Sequence, residues 1–164
     1  MQITQQDILL RQIRFWIAVF VVLLILSGLT AFPIQTELNW LAQYNHFFPD
    51  NLRFWLEKTT TAINDTYTKY PQLAYGYDWL AFAHIVIGIA FIGPWRDPVR
   101  NIWVIEWGMI ACILVPFLAF IFGPIREIPI FWRFIDTSFG VFGILPLWWV
   151  RGKIKVLERS SRLG

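Results

Sequence analysis

Long apolar runs alternate with polar intervals along this chain, and four of the runs are long enough to be membrane-spanning helices. They cover residues 15–32, 79–95, 102–122 and 131–150. At 1.5 Å of rise per residue, helices of this length cross, or nearly cross, a hydrocarbon core about 30 Å thick. Because backbone groups inside a bilayer must pair within their own segment, the pattern predicts helices rather than irregular chain.

The interval between the first two runs, residues 34–77, is long and mixed in character. Apolar positions recur within it at helical spacing and predict a helix over 51–69, with Asp50 as its N-cap. A second, shorter amphipathic helix is predicted over 36–48. We expect both helices to lie over the spans or along the membrane interface.

The fold class predicted from these elements is an all-α integral membrane protein, a bundle of four transmembrane helices forming a single membrane domain over residues 1–164. Composition supports it: 57% of the residues are hydrophobic and 15% are charged, against about 25% charged residues in soluble domains. The first run is longer than the ~7–15-residue core of a signal peptide, so we expect it to remain as a span.

The lysines and arginines gather near the ends of the runs. With four spans, nine of the fourteen fall on the side that holds both termini, with four of the eleven acidic residues. The positive-inside rule then predicts cytoplasmic N- and C-termini, an extracytoplasmic 34–77 segment and a location in a bacterial inner or plasma membrane. Since this placement accounts for the net charge of +3, we expect the lipid bilayer, and no nucleic acid, as a partner.

A short motif occurs twice, as Gly93-Pro94 followed by Arg96 and as Gly123-Pro124 followed by Arg126. We interpret each copy as a turn that ends a span, and we expect Asp97-Pro98 to begin the third span as N-cap and first helical residue. The predicted topology puts the copies on opposite faces of the membrane. An inverted-repeat transporter is the alternative interpretation.

Ionisable side chains inside predicted spans are costly in a membrane and are therefore functional hypotheses. Arg133 and Asp136 lie one helical turn apart and are expected to pair. The favoured interpretation is a structural pair, with His84 hydrogen-bonded to it or to a backbone carbonyl. Because His84 lies at a similar depth from the same side, the alternative interpretation is one outward-facing polar pocket shared by His84 and Asp136. The predicted ligand-binding residues are His84, Arg126, Glu127, Arg133 and Asp136.

Most tryptophans lie within a turn or two of a span end, where an amphipathic ring prefers the interface. Glu106, between Trp103 and Trp107 near the start of the third span, is expected to pair with Arg96 or Arg100.

Catalytic sequence patterns are missing. The chain has no P-loop, GxSxG, HExxH or GxGxxG motif, and its single cysteine, Cys112, allows no cysteine-rich zinc site. We therefore predict no catalytic residue, no metal site and no cofactor, and we do not expect an enzyme. His46 and His84 are the two imidazoles that could ligate a haem, which keeps a haem- or quinone-linked redox protein as an alternative.

Function is least defined by the sequence. The first hypothesis is an accessory or scaffold subunit that packs against a partner membrane protein, or an oligomer. It rests on the tryptophan-rich surface and on the missing catalytic residues. The second hypothesis is a ligand-binding or transport protein that holds a small molecule in the His84–Asp136 pocket.

Overall fold

The computed structural model describes residues 5–163 and is 88% helical, with no strand in this range. The helices are α1 (Gln5–Leu29), α2 (Ile34–Gln43), α3 (Asp50–Lys69), α4 (Pro71–Ala90), α5 (Ile92–Arg96), α6 (Ile102–Phe117), α7 (Gly123–Ile125) and α8 (Ile130–Leu163). A 3₁₀ turn, Asn45–Phe47, follows α2, and a π-helical turn, Leu118–Phe122, joins α6 to α7.

Four helical stretches are long and apolar enough to cross a membrane, which confirms the four long apolar helices predicted from sequence. They are Gln5–Leu29, Pro71–Arg96, Ile102–Ile125 and Ile130–Ser160. Three of the four begin earlier than predicted, and the polar residues before the first apolar run belong to α1. Leu9, Ile13 and Ile17 are buried at four-residue spacing on one face of α1, so packing extends this helix beyond its apolar run.

The segment between the first two spans contains the two predicted helices with shifted ends. Helix α3 begins at Asp50 itself, and its N-cap is Pro49. The shorter helix ends at Gln43 and gives way to the 3₁₀ turn. Pro71 is the first residue of α4. At this position a helix needs no N–H from the residue, and the fixed φ of proline suits the helix.

Hydrogen bonds between side-chain amides hold α2 against α3. Asn64 Nδ2 donates to Asn39 Oδ1 over 2.8 Å, and Asn64 Oδ1 accepts from Gln35 Nε2 over 2.9 Å. Asn39 Nδ2 also donates to Asn64 Oδ1. The two helices therefore form a hairpin fixed by paired polar groups as well as by the apolar side chains Leu56 and Ile63.

The described chain divides into two compact units. One is Leu23–Ile87, and the other holds the chain up to Val22 and from Gly88 onward. The prediction of a single membrane domain stays a prediction. The largest fully buried side chains all belong to the second unit: Ile13, Ile17, Phe91, Pro94, Ile105, Leu147, Val150 and Ile154.

Helices α6 and α8 pack against each other antiparallel and at close range. A Cβ at Gly140 of α8 would lie 2.5 Å from the carbonyl oxygen of Cys112 in α6. Only glycine allows the two backbones to approach this closely. Leu147, further along α8, lies beside Gly108, which is earlier in α6, so the contacts run in opposite directions along the two helices.

Each Gly-Pro pair lies inside a last helical turn rather than ending a helix. In the first copy the helix continues to Arg96. Arg14 then satisfies the exposed carbonyls, donating from Nε to Trp95 O over 3.1 Å and from Nη2 to Arg96 O over 3.4 Å. A long cationic side chain at a helix C-terminus is favoured by the helix dipole as well.

Asp97 is not the N-cap of the third long helix, although the predicted start of its apolar run at residue 102 agrees with the structure. Helix α6 begins at Ile102, and its N-cap residue is Asn101. Asp97 Oδ1 accepts a hydrogen bond from the backbone N–H of Arg100 over 3.1 Å. The aspartate therefore stabilises a turn before the helix, a common use of a short acidic side chain.

Candidate ligand-binding residues

The turn after α7 contains two of the predicted ligand-binding residues. The N–H of Ile128 donates to Gly123 O over 2.9 Å, and the N–H of Glu127 donates to Pro124 O over 3.1 Å. This pair of bonds defines a Schellman motif, whose C′ residue must be left-handed. Glu127 occupies that position with φ of 57°. Glycine is the usual residue there, because a Cβ is disfavoured in this conformation.

Arg126 precedes Glu127 as the C-cap residue of α7 and is exposed. Its backbone N–H donates to the carbonyls of Phe122 and Gly123. The backbone of Arg126 therefore stabilises the end of α7. Its guanidinium lies at the surface, where a ligand or a lipid phosphate can reach it.

Arg133 holds the same turn against the first turns of α8. Its Nε donates to Ile128 O over 2.7 Å. Its aliphatic stem covers Gly123, where an added Cβ would lie 3.0–3.2 Å from Arg133 Cδ, Cγ and Nε. Arg133 therefore occupies space that only glycine leaves open at position 123.

The predicted Arg133–Asp136 pair is wrong. No ion pair joins these two side chains within the part of the chain that the structure describes. Arg133 Nε instead donates to the carbonyl of Ile128, a main-chain acceptor in the turn that precedes α8. Helical spacing brings two residues onto one face, but it does not decide which acceptor a long side chain uses.

Asp136 is partly buried, and it forms no hydrogen bond or ion pair with another described residue. The next side chain, Thr137, has a buried Oγ1 that also lacks a hydrogen-bond partner among the described residues. Two adjacent unsatisfied polar groups inside a spanning helix require an explanation, since each one costs free energy.

His84 belongs to the other compact unit, Leu23–Ile87, so it is described separately from Asp136. Its Nδ1 lies 2.7 Å from the carbonyl oxygen of Leu80, one turn earlier in α4. A carbonyl oxygen only accepts, so Nδ1 is the donor in this hydrogen bond. The sharing of one pocket by His84 and Asp136 stays a prediction.

Gly28 of α1 faces His84 across a close helix contact within the same unit. A Cβ added at Gly28 would overlap the Cβ of His84. The glycine therefore lets the two backbones meet at this level. The imidazole orientation depends on this packing as well as on its hydrogen bond to Leu80.

Glu106 pairs with a residue that the sequence analysis did not consider. Arg151 Nε of α8 donates to Glu106 Oε1 of α6 over 2.7 Å. The expected pairing with Arg96 or Arg100 is wrong, because the antiparallel packing of α6 and α8 brings Arg151 to the same level. Arg151 is the first basic residue after the fourth apolar run, and comparing depths in antiparallel helices would have identified it.

The described residues 5–163 contain no cluster of metal-binding side chains. No group of three His, Cys, Asp or Glu side chains in this range is placed to hold a metal ion. His46, the other candidate haem ligand, stacks on Phe47 with ring centroids 4.0 Å apart.

These features define the class as an all-helical protein with four helices able to cross a membrane. Comparison with protein-family models, with curated proteins and with solved structures finds no match to this chain.

Proposed function

We propose that this protein is a non-enzymatic accessory or scaffold subunit that packs against another membrane protein. The observation that carries the proposal is a set of four exposed aromatic side chains on the α2–α3 hairpin and its connecting turn, called the aromatic patch: Trp40, Tyr44, Phe47 and Phe54. All four side chains are exposed, with Phe47 at 74% and Phe54 at 68%. Large exposed apolar patches outside the spans are typical of interaction surfaces.

The position of Phe54 supports a protein partner. On α3 the buried side chains Leu56 and Ile63 occupy one face, while Phe54 lies on the opposite face with polar Lys58 and Thr61. An aromatic ring on an otherwise polar face gains nothing from the hairpin itself. Aromatic side chains surrounded by polar ones are the usual composition of a protein–protein interface.

The test is site-specific photo-crosslinking in the native membrane. A photoreactive amino acid at Phe47 or Phe54 should give a protein adduct of one discrete mass. The same residue at exposed Thr68, about four turns further along α3 and close to its end, is the matched control and should give little adduct. Lipid adducts alone at Phe47, or equal protein adducts at Thr68, would contradict the proposal, as would a stable lone monomer after mild extraction.

The second candidate is a ligand-binding or transport protein, and Asp136 with Thr137 favours it. A carboxylate kept without a partner inside a spanning helix is typical of a functional site rather than a structural one. If the site is functional, Asp136→Asn should raise the free energy of unfolding by about 1 kcal/mol, because an uncompensated charge is removed. If Asp136→Asn instead destabilises the protein, the carboxylate is structural and this candidate fails.

We further propose that both termini are cytoplasmic and that the α2–α3 hairpin is extracytoplasmic, in a bacterial inner membrane. The basic-residue count supports this orientation. The contact of Arg14 with Trp95 and Arg96 also fits, since two crossings separate these positions. In a Cys112→Ala background, an impermeant maleimide on intact cells should label Thr61→Cys, and Arg159→Cys only after permeabilisation. The reverse pattern would invert the orientation.

A further inference from the structure

A groove of about 510 Å³ opens along one face of α8 near the end of its apolar stretch. All its lining residues come from this single helix: Leu145, Trp148, Trp149, Gly152, Lys153 and Val156. Gly152 forms the floor, since a Cβ there would meet no other atom within 4 Å. The groove is therefore a gap between large side chains one turn before and one turn after the glycine.

The groove lies where the exposed face of α8 changes from apolar to basic. Phe142, Leu145 and Trp148 are exposed before Gly152, at 70%, 54% and 65%. After it, Lys155 and Arg159 are exposed on the same side of the helix. The opposite side remains buried throughout, through Leu147, Val150, Ile154 and Leu157. This change in an outward face is expected where a helix leaves the hydrocarbon and enters the headgroup layer.

Lys153 places a positive charge over the groove. Its Nζ lies 4.9 Å from the centroid of the Trp149 ring, a distance at which the ring quadrupole attracts an ammonium. Trp149 in turn contacts Trp16 of α1, with ring centroids 6.0 Å apart. Arg151 is paired with Glu106, so its charge is largely compensated and Lys153 is the basic residue that acts on the groove.

The charge around the groove is one-sided. From 151 to 160 the helix carries four basic residues, Arg151, Lys153, Lys155 and Arg159, and one acidic residue, Glu158. An occupant must therefore offer an anionic group beside Lys153 and an apolar part beside Leu145 and Trp148. A phospholipid supplies both groups in this order along the membrane normal, and its phosphate fits a tryptophan–lysine site at the interface.

We propose that this groove is a binding site for one anionic phospholipid. Its acyl chains lie along Leu145 and Trp148, its glycerol backbone lies over Gly152, and its phosphate accepts hydrogen bonds from the Lys153 ammonium. The inference is independent of the partner proposed for the aromatic patch, because it uses no residue of the α2–α3 hairpin. It is also independent of which side of the membrane α8 ends on.

The experiment is native mass spectrometry of the full chain released from nanodiscs. The discs contain equal amounts of phosphatidylglycerol and phosphatidylcholine with the same acyl chains. For the unmodified protein, phosphatidylglycerol adducts should exceed phosphatidylcholine adducts about fivefold, the discrimination that one basic residue near the headgroups supplies. Lys153→Gln should reduce the ratio to about one, on the same scale.

Two further variants separate a site from general charge attraction. Gly152→Leu keeps every charge and places a side chain in the groove, and it should lower phosphatidylglycerol retention, although its Cβ would meet no other atom within 4 Å. Lys58→Gln in α3 removes the same charge far along the chain and should retain the fivefold ratio. Equal retention of the two lipids by the unmodified protein would overturn the proposal. It would also be overturned if Lys58→Gln matched Lys153→Gln, or if Gly152→Leu had no effect.

Discussion

Arg151 and Glu106 form an ion pair that connects α8 to α6, with Nε and Oε1 2.7 Å apart. The two side chains remain 32% and 41% exposed, so water or lipid headgroups reach the pair. Glu106 lies near the start of α6, and Arg151 follows the apolar stretch of α8. The pair therefore joins the two helices at the end where both become polar.

A double-mutant cycle should measure this pair. Glu106→Gln, Arg151→Gln and the double variant should show a coupling free energy of about 0.5–1 kcal/mol, because the pair is partly solvated and screened. Thermal unfolding in detergent at low salt gives the three values. A strictly additive double variant would mean that the pair adds nothing to the α6–α8 contact.

Two glycines on spanning helices should respond in opposite ways to alanine. Gly28→Ala should destabilise the protein by about 1–3 kcal/mol, since its Cβ would overlap that of His84 and the helices would have to separate. Gly76→Ala in α4 is the matched control. It has open space around its Cβ and should stabilise the helix by about 0.5–1 kcal/mol. Chemical denaturation in mixed micelles distinguishes them, and equal effects would contradict the close contact.

Glu127 offers a test of backbone conformation. Glu127→Gly should be more stable than Glu127→Ala by about 1 kcal/mol, because only glycine adopts φ near 57° without a Cβ penalty. The alanine variant controls for loss of the carboxylate, so the difference between the two reports the main chain alone. If alanine is as stable as glycine, the left-handed C′ position is not maintained in the membrane.

Stability at high pH should depend on Tyr67 in α3. Burial, followed by the charges of Asp78 and Tyr77, raises the pKa of the Tyr67 phenol above its ordinary value near 10. The folded state then holds the proton more tightly than the unfolded state. This contribution is complete below about pH 10 and is lost as the pH rises through the folded-state pKa.

The matched variant for this test is Tyr67→Phe. Between pH 9 and 11 the unfolding free energy of the unmodified protein should fall more steeply than that of Tyr67→Phe. Equal slopes would show that Tyr67 titrates normally. Spectrophotometric titration of the phenolate near 295 nm provides an independent check.

The apolar runs were enough to predict the four long helices, because length and hydropathy act locally along the chain. They were not enough to predict the ends. Helix α1 starts before its apolar run because Leu9 and Ile13 are buried by packing. Helix α6 starts at Ile102, where its apolar run begins, but its N-cap is Asn101 and not Asp97, because the aspartate accepts a hydrogen bond within the preceding turn. Both corrections depend on neighbours that hydropathy does not encode.

The candidate ligand-binding residues were harder to predict than the fold. Helical spacing correctly placed Arg133 and Asp136 on nearby positions of one helix, but the arginine bonds Ile128 O instead. Glu127 was predicted as a ligand-binding residue, which stays a prediction, and its backbone forms the C′ position of a helix cap. In both cases the decisive partner is a main-chain group, whose position depends on local backbone geometry and is invisible in a pattern of side chains.

The π-helical turn at Leu118–Phe122 changes which residues of the third span lie on the same face of the helix. It follows Pro116, which has no N–H to donate to the preceding turn. A wider turn accommodates about one additional residue. Homologues or engineered chains with a single-residue deletion between 118 and 122 should therefore have a continuous α-helix there. After such a deletion, Gly123 and the turn capped by Glu127 would keep their orientation around the helix axis relative to α6. Alignments of this region should therefore allow a one-residue gap.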